Sequence, residues 1–193
     1  AEQEVVDVLP DPVLAALADI RGQTMATVRR GGVTATAAAV KIDPGFAAAS
    51  QRIRAFLEPQ VQQGLVKVIE EPQQTTIRIR GDGLFESGKA EVKATLQGLL
   101  QQIGAEFAKV QGRVLVTGHS DNVPIRTLQF PSNWHLSKAR ADSVVQILAS
   151  AGNNPNRFIS EGRADTQPVV ANDNPQNRAL NRRVDIVLLA RVN

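Results

Sequence analysis

Residues 117–142, TGHSDNVPIRTLQFPSNWHLSKARAD, gather two histidines, two aspartates, several hydroxyls, one tryptophan and two arginines. Three chemistries use such groups. Nucleophilic hydrolysis needs a serine, a histidine and a carboxylate in line, and His119, Ser120, Asp121, His135 and Ser137 supply the types. A triad is defined by geometry rather than composition, however, and no G-x-S-x-G elbow is present. A metal could in principle take His119, Asp121 and His135. The chain has no H-E-x-x-H helix and no further histidine, and a lone histidine beside a strand end more often holds a loop by hydrogen bonding. The third chemistry is capture of a zwitterion. Asp121 closely follows the expected strand RVLVTG, and Arg140 lies one turn beyond Leu136 on the next expected helix. An acidic and a basic side chain facing one cleft can hold an ammonium and a carboxylate together. Arginine suits the second task because its planar fork meets a carboxylate with two parallel hydrogen bonds, and a helix N-terminus adds N–H donors. The alternative is a plain Asp121–Arg140 salt bridge that fastens loop to helix.

Composition narrows the field. The 193 residues carry 22 basic and 19 acidic side chains, a net charge of +3. No dense basic patch of the kind nucleic-acid binding requires appears in the sequence. No cysteine is present, which excludes disulfides and thiolate metal sites. No motif asks for a cofactor. No apolar run reaches the ~18 residues of a membrane span, and the chain begins with Ala1. It reads as a processed or cut fragment, with any membrane anchor expected upstream.

The elements that must position these groups follow from periodicity. Residues 1–45 hold 4 basic and 6 acidic residues, prolines and a glycine pair, and read as a linker with a short helix around Val13, Leu14, Leu17 and Ile20. From Phe46 a helix runs to Gly64. LVKVIE and TTIRIR alternate and form a hairpin. GDGLFESGKA reads as a loop. EVKATLQGLLQQIGAEFAKV places Leu96, Leu99, Leu100, Ile103 and Phe107 at helical spacing. RVLVTG is a strand, residues 118–132 a loop, and Ser132 caps a helix that runs to Ser150. RFISEG and RRVDIVLL are strands, with a helical turn over 178–181 between them. The fold class is α+β: one mixed β-sheet packed against helices, with an N-terminal helical linker.

Several ordered segments resemble a known family. VLVTGHSDNVPI, NWHLSKARADSVVQIL and RFISEGRADTQPVVANDNPQNRALNRRVDIVLL are similar to the OmpA-like C-terminal domain, a peptidoglycan-binding module with a β/α/β/α/β sandwich. The resemblance spans about residues 75–190. It implies a non-catalytic domain over 75–193, preceded by a linker helix and first strand over 46–74 and a post-membrane linker over 1–45. It implies that Asp121 and Arg140 grip the amino and carboxylate groups of diaminopimelate in the peptidoglycan stem peptide. Asn122, Asn133, Leu136, Ser137 and Arg183 join them as pocket residues. His119 becomes a loop or strand-end residue and Trp134 a wall or packing residue. The 19 positions between Asp121 and Arg140 exceed the short link of the porin branch. That insert resembles the branch shared by the flagellar stator protein MotB and the extended type VI secretion protein TssL. DPVLAALADIR, RIRAFLEPQVQQGLVKV and IRIRGDGLFESGKAEV are closer to TssL. The implied role is a periplasmic wall anchor for an inner-membrane complex with TssM- and TssJ-like proteins. A hydrolase, and an OmpA-like domain that has lost its ligand and serves as a protein-interaction scaffold, are the competing readings.

Overall fold

The computed structural model describes residues 42–191. The expected helix around Val13–Ile20 therefore lies outside the described residues. Helix α1 spans Pro44–Gln62, with proline in its first turn and the Asp43 carboxylate accepting the Gly45 N–H at 2.8 Å. Strands β1 (Val66–Glu71) and β2 (Gln74–Arg80) form the expected antiparallel hairpin. Next comes α2 (Gly81–Leu84), a single turn where the sequence reads as loop. Two glycines in four residues give no apolar period, so nothing in the local pattern announces it. Its anchor is remote: the Gly81 N–H donates to the Arg182 carbonyl at 2.8 Å.

Then follow α3 (Ala94–Phe107), β3 (Val114–His119), α4 (Asn133–Ser150), a 3-10 turn (Pro155–Arg157), β4 (Phe158–Gly162), α5 (Pro175–Asn181) and β5 (Arg183–Leu189). The five strands make one sheet in the order β1-β2-β5-β3-β4. All neighbours are antiparallel except β3 and β4, which are parallel and joined through α4. The α+β class and the mixed sheet expected from the sequence are what the structure has.

Register explains the two faces. Ile77, Ile186 and Val116 are cross-strand partners in one row, and all are fully buried. On the helices, Ile53, Leu57, Leu100, Ile103, Phe107, Val144 and Leu148 are likewise fully buried. Each such side chain contributes roughly 1.5–3 kcal/mol of apolar burial. Aliphatic side chains supply most of this core, as a composition with only 4% aromatics requires.

The opposite face carries charge. Arg78 donates through Nε and Nη2 to the two carboxylate oxygens of Asp185 at 2.9 and 3.2 Å, and Arg183 Nε approaches the same carboxylate at 3.4 Å. His119, at the end of β3, lies with Nε2 3.7 Å from Asp185 Oδ2.

One close approach sets the position of α4. Gly118 and Gly162 are partners across β3 and β4. A Cβ at Gly118 would stand 2.1 Å from the Ser137 carbonyl oxygen, and one at Gly162 would stand 2.4 Å from the Lys138 nitrogen. Only glycine lets the first turns of α4 sit directly on these strand ends.

Candidate functional site

Three chain segments meet at the C-terminal end of β3. The first is α2 and the loop that follows it. The second is the segment from Ser120 to Thr127. The third is α5 with Arg182. Together with one face of α4 they enclose an open cleft of about 820 Å³. Residues Asn133, Leu136 and Arg140 fall at i, i+3 and i+7 on α4, so one helical face presents all three to the cleft.

Asp121 leaves β3 two residues after its last strand position and turns into the cleft. Its Oδ1 accepts the Val123 N–H at 3.0 Å, which holds the start of the inserted segment. Its Oδ2 accepts from Arg182 Nη1 at 2.6 Å. Arg182 lines the cleft from the position just before β5. The plain Asp121–Arg140 salt bridge considered from the sequence is not the arrangement found; the carboxylate's partner is Arg182.

Arg140 is buried, yet its guanidinium has a polar seat. Nε donates to the Lys89 carbonyl at 2.8 Å and Nη2 to the Glu86 carbonyl at 3.2 Å. Its central carbon stands 4.8 Å from the centroid of the Phe85 ring, a cation–π contact. Burial, and then the charge of Arg182, push its pKa down to about 10, so it stays protonated at neutral pH. Among the described residues Nη1 has no hydrogen-bond acceptor, and it is not among the sealed-off polar atoms. That leaves one guanidinium nitrogen for a ligand anion.

The cleft therefore brings together Asp121, Asn133, Leu136 and Arg140 of the residues expected from the sequence. Asn133 serves it by donating through Nδ2 to the Val123 carbonyl at 2.9 Å, tying the inserted segment to α4. Asn122 is exposed and does not line the cleft. Ser137 is buried beneath the helix, where Oγ donates to the Trp134 carbonyl and accepts from the Ala164 N–H, each at 3.2 Å. Arg183 is the clearest correction. It points to the charged face of the sheet, donating to Asp185 and to the carbonyls of Asn181 and Gln167. The cause is strand alternation: Val184, Ile186 and Leu188 face the helices, so Arg183 and Asp185 must face away.

Sequence reasoning missed Arg126, Arg178 and Arg182, all of which line the cleft. Asp185 and the apolar alternation of β5 hold the usable signal, because they exclude Arg183 and leave its neighbour at the strand mouth. His119 is indeed a strand-end residue, and Trp134 is half-exposed and outside the cleft. The three groups considered for a metal diverge: His119 faces Asp185, Asp121 faces Arg182, and His135 Nδ1 is hydrogen-bonded to Ser132 Oγ at 2.7 Å. Ser132 stands at the N-cap of α4 as expected, but its hydroxyl serves that imidazole rather than a backbone N–H.

Known proteins share this architecture. The cell wall anchor of the T6SS from Pseudomonas aeruginosa superposes with a TM-score of 0.68 at 45% identity, covering 72% of this chain and 98% of that one. A putative MotB-like protein from Desulfovibrio vulgaris has the same fold, with a TM-score of 0.68 at 24% identity over 75% of this chain and 94% of that one. Motility protein B of Bacillus subtilis is 33% identical over 120 residues, 60% of this chain and 45% of that protein. The protein YtxE of the same organism is 42% identical over 106 residues, 54% of this chain and 44% of that protein. The chain thus spans less than half the length of these two curated relatives. Residues 84–182, just over half of the 193, match the OmpA family profile; the chain belongs to the OmpA family.

Proposed function

We propose that this domain is a non-catalytic peptidoglycan-binding module that grips diaminopimelate. Asp121 receives the ligand ammonium and Arg140 its carboxylate, with Asn133 and Leu136 as walls. The observation that carries this reading is the cleft itself, which holds a carboxylate and a partly committed guanidinium from separate elements. The likeness to a cell wall anchor at 45% identity supports it. The same likeness favours service in a type VI secretion complex, in the periplasm and beside TssM- and TssJ-like proteins, with residues 1–45 as the connecting segment. The 33% identity to motility protein B keeps a flagellar stator anchor as the second reading.

The test is co-sedimentation with purified Gram-negative sacculi. The native domain pellets with the wall. Asp121→Asn keeps an oxygen for the Val123 N–H but loses the charge, and it stays in the supernatant. Leaving a buried ligand charge without its partner costs on the order of a few kcal/mol. Equal pelleting of native and variant protein would remove Asp121 from the reading; failure of the native protein to pellet would remove wall binding. Release of soluble muropeptides would favour a hydrolase instead.

A further inference from the structure

The cleft holds more positive charge than one zwitterion uses. Arg126, Arg140, Arg178 and Arg182 line it, against Asp82 and Asp121. Both carboxylates are already engaged, Asp82 with Arg80 at 2.8 Å and Asp121 with Arg182 at 2.6 Å. Among the described residues, no carboxylate lies within salt-bridge distance of Arg126 or Arg178. Arg140 already registers the excess, since the charge of Arg182 adds to burial in lowering its pKa. Size points the same way. At about 820 Å³ the cleft lies in the upper part of the range that holds a drug-sized ligand, well beyond the end of a single amino acid.

We propose that Arg126 and Arg178 form a second anion subsite in the cleft, which takes another free carboxylate of the same acidic peptide. The inference rests on the peptide-binding reading given above. Arg126 comes from the inserted segment that lengthens the path from Asp121 to Arg140, and Arg178 comes from α5 on the other flank. The insert thereby converts a grip on one residue into recognition of two acidic positions. Guanidinium groups serve this end because each meets a carboxylate with paired, charge-assisted donors. A peptide carrying its free carboxylate next to diaminopimelate is preferred over the same peptide with that group amidated.

Calorimetric titration of the full chain tests this with two synthetic tripeptides. One is L-alanyl-γ-D-glutamyl-meso-diaminopimelate, and the other carries the α-carboxamide of the glutamate. The native protein binds the first about tenfold more tightly, the effect of one charge-assisted contact. R126Q/R178Q binds the two equally, and R126K/R178K restores part of the preference. Among the described residues neither arginine has a side-chain partner, so folding is retained, which circular dichroism checks. Equal affinity of the native protein for both peptides overturns the second subsite and leaves diaminopimelate binding intact. A preference that survives R126Q/R178Q overturns the assignment to these arginines. Failure to bind either peptide overturns the subsite together with the reading on which it rests.

Discussion

Arg182 Nη1 donates to Asp121 Oδ2 at 2.6 Å, so the carboxylate proposed to receive an ammonium already holds a cation. A ligand entering the cleft must share or displace that guanidinium. The pair itself is weakly stabilising, because the Arg182 side chain is 37% exposed and solvent screens it. Arg182→Ala is expected to cost less than about 1 kcal/mol in urea denaturation. The Gly81 N–H bond to the Arg182 carbonyl survives the change. A loss of several kcal/mol would mean that the side chain is a structural tie.

Arg140 carries a heavier structural duty. Its guanidinium satisfies the carbonyls of Glu86 and Lys89 and covers the Phe85 ring. Arg140→Ala strands both carbonyls, and a cost of about 2–3 kcal/mol is expected. Hydrogen exchange should rise across residues 85–93 in the same variant. Arg140→Lys recovers part of the loss, since one ammonium cannot hold the fork geometry. Native-like stability of the alanine variant would remove this duty from Arg140, and it would then serve as a clean binding variant.

Gly118→Ala tests how tightly α4 is seated. The added methyl would meet the Ser137 carbonyl at 2.1 Å, backbone that cannot yield without moving the helix. Overpacking of this kind costs roughly 1–3 kcal/mol. Since α4 also carries Arg140, wall binding should weaken beyond what the stability loss explains. Unchanged urea midpoints and unchanged binding would count against the close approach.

His119 makes stability depend on pH. Burial first, then the charge of Arg183, lower its pKa from 6.5 to about 4, against a smaller upward pull from Asp185. The folded state thus prefers the neutral ring. Above pH 6.5 nothing changes with this group. As pH falls from 6.5 towards 4, the unfolded chain takes up a proton that the folded chain refuses, and stability drops. The full effect is on the order of 3 kcal/mol. His119→Gln should flatten that slope in urea titrations at pH 7, 6 and 5. An unchanged slope in the variant would assign the acid sensitivity to other groups.

The sequence exposed the long elements because their periods are unambiguous. Leu96, Leu100, Ile103 and Phe107 mark α3, and the alternation of VKVIE and TTIRIR marks the hairpin. Half of the site followed, since Asn133, Leu136 and Arg140 share a helical face once α4 is granted. The rest depended on relations that local pattern does not encode. The start of helix α2 is tied to Arg182, 101 positions away. Arg182 and Arg183 are adjacent and alike in type, and only the start of β5 decides which faces the cleft. Arg126 lies in a loop whose path is set by Asp121 and Asn133 rather than by any repeat.

Asp121 follows β3 and Arg182 precedes β5, and these two strands are neighbours near the middle of the sheet. A pull on a ligand held by Asp121 and Arg140 enters the molecule beside the end of β3 and through α4, which is seated on the ends of β3 and β4. Strands β3 and β5 are each flanked by strands on both sides, with β3 between β5 and β4 and β5 between β2 and β3. Both strands are therefore held by two registers of hydrogen bonds rather than one. The edge strands β1 and β4 are held by one register each.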